Sequence, residues 1–190
     1  MRYPPDQKAK AREAILEAGA RTLRANGFNG IGVDGLAAAA GVTSGAFYSN
    51  FANKEALLEA VIATRLGRPF VDVDADSIAE RREILRQWLI EYISPYHREN
   101  PGVGCVMPSL SADVARAGPA VRDAYGRAMT DLIGKISTVL DGSAEDRARR
   151  AWSIVAVMIG ALEISRAMPD GEESDRAIAA ALQTATGLLG

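Results

Sequence analysis

The sequence predicts an all-α chain of about nine helices. Three observations point there. Apolar residues recur at spacings of three and four through most of the 190 residues, and no alternating stretch of strand length appears. Ala is abundant and β-branched runs are short, which favours helix on intrinsic propensity. Gly, Pro and cap-forming Ser, Thr and Asn fall at the ends of the periodic segments.

The elements follow in chain order. Residues 6–26 place Ala11, Ile15, Ala18, Thr22 and Leu23 on one helical face, and Asn26-Gly27 ends that helix. Phe28 follows as a packing anchor. Residues 33–40 read as a brief helix stopped by Gly41, although Gly35 weakens it by roughly 0.5–1 kcal/mol relative to Ala. Thr43 caps a second brief helix that ends near Phe51. Asn53 caps a third, carrying Leu57, Leu58, Val61 and Ile62, which closes at Gly67-Arg68-Pro69 and gives way to a linker, VDVDAD. Ser77 and Glu80 have capping-box spacing. The helix they open is expected to run to about Arg98, with Ile84, Leu85, Trp88, Leu89, Tyr92 and Ile93 on one side. Asn100-Pro101-Gly102 breaks it. A short helix over 105–117, one over 119–140, a long one from Ser143 to before Pro169 and a last one over 172–189 complete the chain.

Composition excludes several classes of function. One Cys permits no disulfide within a monomer and fits a reducing cytoplasm, and one His excludes a His-rich metal site. The charged N-terminus has no long apolar stretch of the signal-peptide kind, and no apolar run is long enough to span a membrane. A net charge of -2 argues, at face value, against nucleic acid. Its distribution argues the other way. Residues 1–55 hold Arg2, Lys8, Lys10, Arg12, Arg21, Arg24 and Lys54 against Asp6, Glu13, Glu17, Asp34 and Glu55, a net +2 that leaves -4 for the remainder.

The segment VDGLAAAAGVTSGAFYSNF, residues 33–51, has the form of a helix-turn-helix. Gly41 supplies the left-handed turn residue, Leu36 and Ala40 lie one turn apart, Val42 plugs the turn, and Phe47 and Phe51 lie one turn apart on the second helix. With Phe47 inward, Gly45, Ala46, Tyr48 and Ser49 face outward and Ser44 lies at the edge. That outer face is small and uncharged, so the helix can sit deep in a DNA major groove. Thr43, Tyr48 and Lys54 suit phosphates.

The segment GFNGIGVDGLAAAAGVTSGAFYSNFANKEALLEAVI resembles the DNA-binding domain of the TetR family of transcriptional regulators. The matching positions are Gly27-Phe28, Val33, Leu36, Ala37, Ala40-Gly41-Val42, Gly45, Phe47-Tyr48, Phe51, Lys54-Glu55 and Leu57-Leu58, without a gap. The resemblance implies that residues 43–49 form the recognition helix, with Ser44 and Ala46 toward base edges, Gly45 allowing close approach, and Thr43, Tyr48 and Lys54 on phosphates. Gly32, Val33 and Ser49 complete the implied contact set. Departures are Gly32, where the family usually has a capping Thr or Ser, Ser44 in place of a larger reader, and Ala52-Asn53 in place of Pro-Ser.

The resemblance further implies three parts: a DNA-binding head over 1–53, a connecting helix and linker over 54–70, and a ligand-binding and dimerisation body over 71–190. The expected partners are double-stranded operator DNA, a largely apolar small-molecule effector and a second copy of the chain, with no membrane. No cofactor, no metal and no enzymatic activity are expected. Candidate effector residues are Trp88, Tyr92, Tyr96, Cys105, Met107, Tyr125, Met129 and Trp152, although aromatic and Met residues at helical spacing also serve as core. Cys105 doubles as a candidate thiol sensor. The expected dimer stripes carry Trp152, Val155, Ala156, Ile159 and Leu162 on one helix, with Gly160 allowing close approach, and Ile178, Ala181, Leu182 and Leu188 on the next. Each stripe can equally pack only within its own chain.

Overall fold

A computed structural model describes residues 5–71 and 74–190. Residues 1–4, with Arg2, and positions 72 and 73 of the expected VDVDAD linker lie outside the described residues. The described residues form helices and no strand. They are α1 (Pro5–Asn26), α2 (Val33–Ala39), α3 (Ser44–Asn50), α4 (Lys54–Arg65), α5 (Arg68–Val71), α6 (Ile78–Tyr92), α7 (Pro95–Glu99), α8 (Met107–Arg116), α9 (Pro119–Ser137), α10 (Ala144–Ala167) and α11 (Glu172–Gly187). Without the single turns α5 and α7, nine helices remain, the number the periodicity predicts.

Caps set most of the boundaries. Thr43 accepts from the Ala46 N–H at 3.1 Å, Asn53 from the Ala56 N–H at 2.8 Å, and Ser143 from the Asp146 N–H at 3.2 Å. Ser77 accepts from the Glu80 N–H at 3.1 Å, but the Glu80 carboxylate reaches the Asp76 N–H rather than that of Ser77, so the capping box closes one residue early.

Two expectations are corrected. The helix from residue 77 does not run to Arg98 but stops at Tyr92. Pro95 has no N–H to continue the ladder, and Ser94 instead caps α7, accepting from the His97 N–H at 3.2 Å. The start of the expected linker is a helical turn, α5, because Phe70 has a site to fill. Its ring is buried and stacks on Trp88 with centroids 5.4 Å apart.

In the head, α2 and α3 pack on α1. Gly41 adopts φ +66 at the turn between them, a conformation that favours glycine. Leu36, Phe47 and Phe51 are buried beneath it and Val42 is half-buried. Gly35 has a positive use that periodicity does not reveal, since a Cβ there would stand 2.8 Å from Ile31 Cγ1. Helix α4 packs on both α1 and α9, and α10 packs on α9 and α11. Buried side chains of head and body form one continuous cluster. Polar links join the two parts as well. The Phe28 N–H donates to Asp113 Oδ2 at 2.8 Å, the Gly118 N–H donates to Glu55 Oε1 at 2.5 Å, and Arg24 donates to the Gly102 carbonyl.

Candidate functional site

The outer face of α3 is built from small and polar side chains around one exposed tyrosine. Phe47 is buried, while Gly45 and Ser49 are exposed and Tyr48 is 56 % exposed, its ring held edge-on against Phe47. Ala46 is half-buried. Thr43 is exposed; its oxygen caps α3, which leaves its O–H free to donate. Gly32 is exposed and caps α2 without a side-chain bond, and Val33 is half-buried. Arg12 closes the other end of α3. Its guanidinium donates to the Asn50 carbonyl at 2.8 Å and lies 4.3 Å from the centre of the Phe51 ring. Sequence reasoning missed Arg12 because the contact joins residues 38 positions apart.

Two contact residues differ from expectation. Ser44 does not present a free hydroxyl; it donates to Asp34 Oδ1 at 2.6 Å. This places a carboxylate beside the reading face and leaves Ser44 only its lone pairs. Lys54 does not extend toward solvent as a phosphate ligand would. Its ammonium donates to the carbonyls of Phe28 at 2.7 Å and Ile31 at 3.0 Å, and sits 4.2 Å from the centre of the Phe28 ring. Two of its three protons therefore tie α4 to the loop between α1 and α2.

The second site is a cavity of about 790 Å³ where head meets body. Its walls come from α1 (Glu17, Arg24), the end of α4 (Thr64, Arg65), Arg68, α6 (Trp88, Glu91, Tyr92) and the stretch from Ser94 to Cys105. Trp88, Tyr92, Tyr96 and Cys105 line it, as expected. Met107 and Met129 do not, being buried in the core. Tyr125 does not either; its hydroxyl shares a 2.8 Å hydrogen bond with Ser111, and burial raises its pKa. Trp152 is remote from the cavity and 50 % exposed on α10. Met107, Met129 and Tyr125 share one cause: helical periodicity identifies an inward face but not whether a cavity or packed side chains lie against it.

His97 and Cys105, separated by the Pro-Gly break in sequence, meet in space. The Cys105 N–H donates to His97 Nε2 at 3.1 Å, which makes Nε2 the acceptor and Nδ1–H the donor to the Tyr92 carbonyl at 2.8 Å. Both ring nitrogens thus hold backbone, and neither acts on the thiol. Cys105 is half-buried and precedes α8 by two residues rather than starting it. Gly104 packs against the imidazole so closely that a Cβ would overlap the ring.

Burial lowers the His97 pKa; the bond to the Tyr92 carbonyl opposes this, and the guanidiniums of Arg166 and Arg24 add to the lowering. The unfolded chain therefore binds the His97 proton at a higher pH than the folded one does. Stability is full above the ordinary histidine value and falls as pH drops below it. The thermal midpoint is expected to fall more between about pH 7 and about pH 5.5 in the native chain than in His97→Gln. Parallel curves would show that His97 is not the linked group.

Residues 15–61 match the family model described as bacterial regulatory proteins, tetR family. The head is a TetR-family DNA-binding domain. The whole chain has the fold of solved regulators of this type. It is similar to a TetR regulator from Legionella pneumophila (16 % identity, all of both chains covered, TM-score 0.75) and to one from Cytophaga hutchinsonii (20 %, 98 % of both, TM-score 0.72). It also resembles the Bacillus subtilis regulator FadR solved in complex with stearoyl-CoA (15 %, 94 % of this chain and 97 % of that one, TM-score 0.65). No curated protein matches the chain in sequence. Among the described residues, no helix is long and apolar enough to cross a membrane.

In the body the expected dimer stripes are divided between buried and open positions. Val155, Leu162 and Ile178 are buried within their own chain, and Ile159 and Leu182 are half-buried. The open face keeps part of the expected α10 stripe. On α10 it carries Trp152, Ala156, Gly160 and Ile164, one turn apart, with Ile164 57 % exposed. On α11 it carries Ala180, Thr184 and Gly187. Sequence periodicity locates both faces of α10 but does not say which one α9 covers.

Proposed function

We propose that this TetR-family chain is a transcriptional repressor that binds a palindromic operator as a dimer and is released by a small-molecule effector. The observation that carries the reading is the α3 face, a small, exposed surface with Tyr48 outward, held on a buried Phe47 and Phe51. Residues 43–49 enter the major groove, with Gly45 and Ala46 nearest the bases and Thr43 and Tyr48 on phosphates. Gly32, Val33 and Ser49 border the groove, while Lys54 supports the loop and offers its one remaining proton. The dimer forms through the exposed α10 and α11 stripe, where Gly160 has open space above it. Two heads of modest positive charge then act together on adjacent half-sites.

The effector binds in the junction cavity. It touches α1 and α4 on one side and α6 on the other, so a ligand favouring a different α4 tilt changes the separation of the two α3 helices. The Glu55–Gly118 and Phe28–Asp113 links carry that tilt between α4, α9 and the head. In support of such a site, FadR, of the same fold, was solved with stearoyl-CoA.

Titration of binding to the DNA upstream of the gene is the direct test. Affinity is expected to fall steeply as salt rises, since phosphate contacts release counterions. Tyr48→Phe is expected to weaken binding several-fold on every sequence and to reduce the salt slope. Salt-insensitive binding, or none, would exclude DNA as the partner.

A further inference from the structure

Resting on the effector reading above, we propose that the junction cavity takes an amphipathic carboxylate: an aromatic or other apolar body bearing one acidic group. The uncompensated charge at one end of the cavity points to the acid. Arg24 lines the cavity, and its Nε and Nη2 both donate to a neutral acceptor, the Gly102 carbonyl, at 3.0 and 2.6 Å. Arg166 lies behind the same wall and also bonds only neutral acceptors: the Arg98 carbonyl at 3.1 Å, Ser109 Oγ at 3.3 Å and the His97 carbonyl at 2.6 Å. Among the described residues neither guanidinium has a carboxylate within ion-pair distance. Half-buried cations in this state lack the partner that burial normally demands.

The acids nearby, Glu163 for Arg166 and Glu17 for Arg24, act on these cations without forming an ion pair with them. Glu17 also lines the cavity, but its carboxylate is 3.3 Å from Arg65 Nη2. Glu91 lines the α6 side and pairs with neither guanidinium. Burial, helped by the Arg166 and Arg24 guanidiniums, lowers the His97 pKa and favours its neutral form, so it supplies no negative partner.

The rest of the cavity suits an apolar body. Trp88 forms one wall, backed by Phe70, and Tyr96 stands at the rim, 68 % exposed. The volume, about 790 Å³, is that of a site for a compact organic ligand. The largely apolar effector expected from the sequence thus acquires a charged end, because Arg24 reaches the cavity, with Arg166 behind its wall, only in the folded chain.

Naphthoate and its neutral amide, naphthamide, share one aromatic body and differ in the charge alone. In calorimetric titrations of the full-length dimer, naphthoate is expected to bind at least about tenfold more tightly than naphthamide. Arg24→Gln should abolish that preference, and Arg24→Lys should keep most of it, which guards against a mere folding defect. Tyr96→Ala should weaken acid and amide alike. Equal affinity for acid and amide, an undiminished preference in Arg24→Gln, or binding of neither overturns the proposal. Operator release measured on the same samples separates the two readings: release by the amide as readily as by the acid removes the acidic class and keeps the regulator.

Discussion

Ile164→Asp is expected to turn the dimer into monomers and to weaken operator binding by about a hundredfold or more. Ile164 is 57 % exposed in the single chain and lies three turns from Trp152, with Ala156 and Gly160 between. A face of large and small apolar residues at successive turns is what a close helix–helix contact uses. The carboxylate would be buried unpaired twice across a two-fold axis, at a cost of several kcal/mol for each copy. The monomer should stay folded, since Ile164 is exposed in the single chain, and its melting should fall only by what association had contributed. Sedimentation checks the mass and a DNA titration the affinity. A variant that stays dimeric would place the interface elsewhere. Val155→Asp makes the contrast, because Val155 is buried within its own chain and its replacement should unfold the protein rather than dissociate it.

Gly104→Ala is expected to destabilise the fold by about 1–3 kcal/mol, a large effect for one methyl group. The φ of Gly104 is not in the left-handed region, so the reason is space rather than backbone freedom. An added Cβ would overlap the His97 imidazole, which is held from both sides by the Tyr92 carbonyl and the Cys105 N–H. The ring has to leave, and a buried carbonyl and N–H lose their partner together. Urea unfolding checks the size of the effect. The extra acid sensitivity assigned to His97 should disappear in the same variant, because a displaced imidazole titrates as it does in the unfolded chain. A variant as stable as the native protein would mean that the loop from Val103 to Cys105 yields without cost.

What was legible in the sequence was local. The helix-turn-helix could be read because its signals lie within a few residues of one another: Gly41 at the turn, Thr43 as cap, Phe47 and Phe51 one turn apart. Most caps were legible for the same reason. The Ser94-Pro95 break was equally local, and a stricter reading of the proline would have found it. Lys54 and Ser44 were misjudged because residue type alone decided their roles. A lysine at a helix start suits a phosphate, but in the fold its ammonium reaches the Phe28 and Ile31 carbonyls. Ser44 was matched by an aspartate ten positions earlier, on the other helix of the motif.

The body shows the same division more sharply. Trp88, Tyr92, Tyr96 and Cys105, within eighteen residues of one another, line the cavity. Glu17 and Arg24 reach it from the head and Arg65 from α4, and together they bring most of its charge, which spacing along the chain does not reveal.

By itself the sequence determined most of the helices, most of their ends and the helix-turn-helix, because hydrogen bonding within a helix and packing across a short turn depend on near neighbours. Only the tertiary structure decided which face of α10 stays open, where Lys54 points, and that His97, Cys105, Arg24 and Arg166 share one neighbourhood. Those outcomes depend on which of several chemically adequate partners is closest once α1, α4, α6 and α10 have packed, and residue spacing carries no record of that distance.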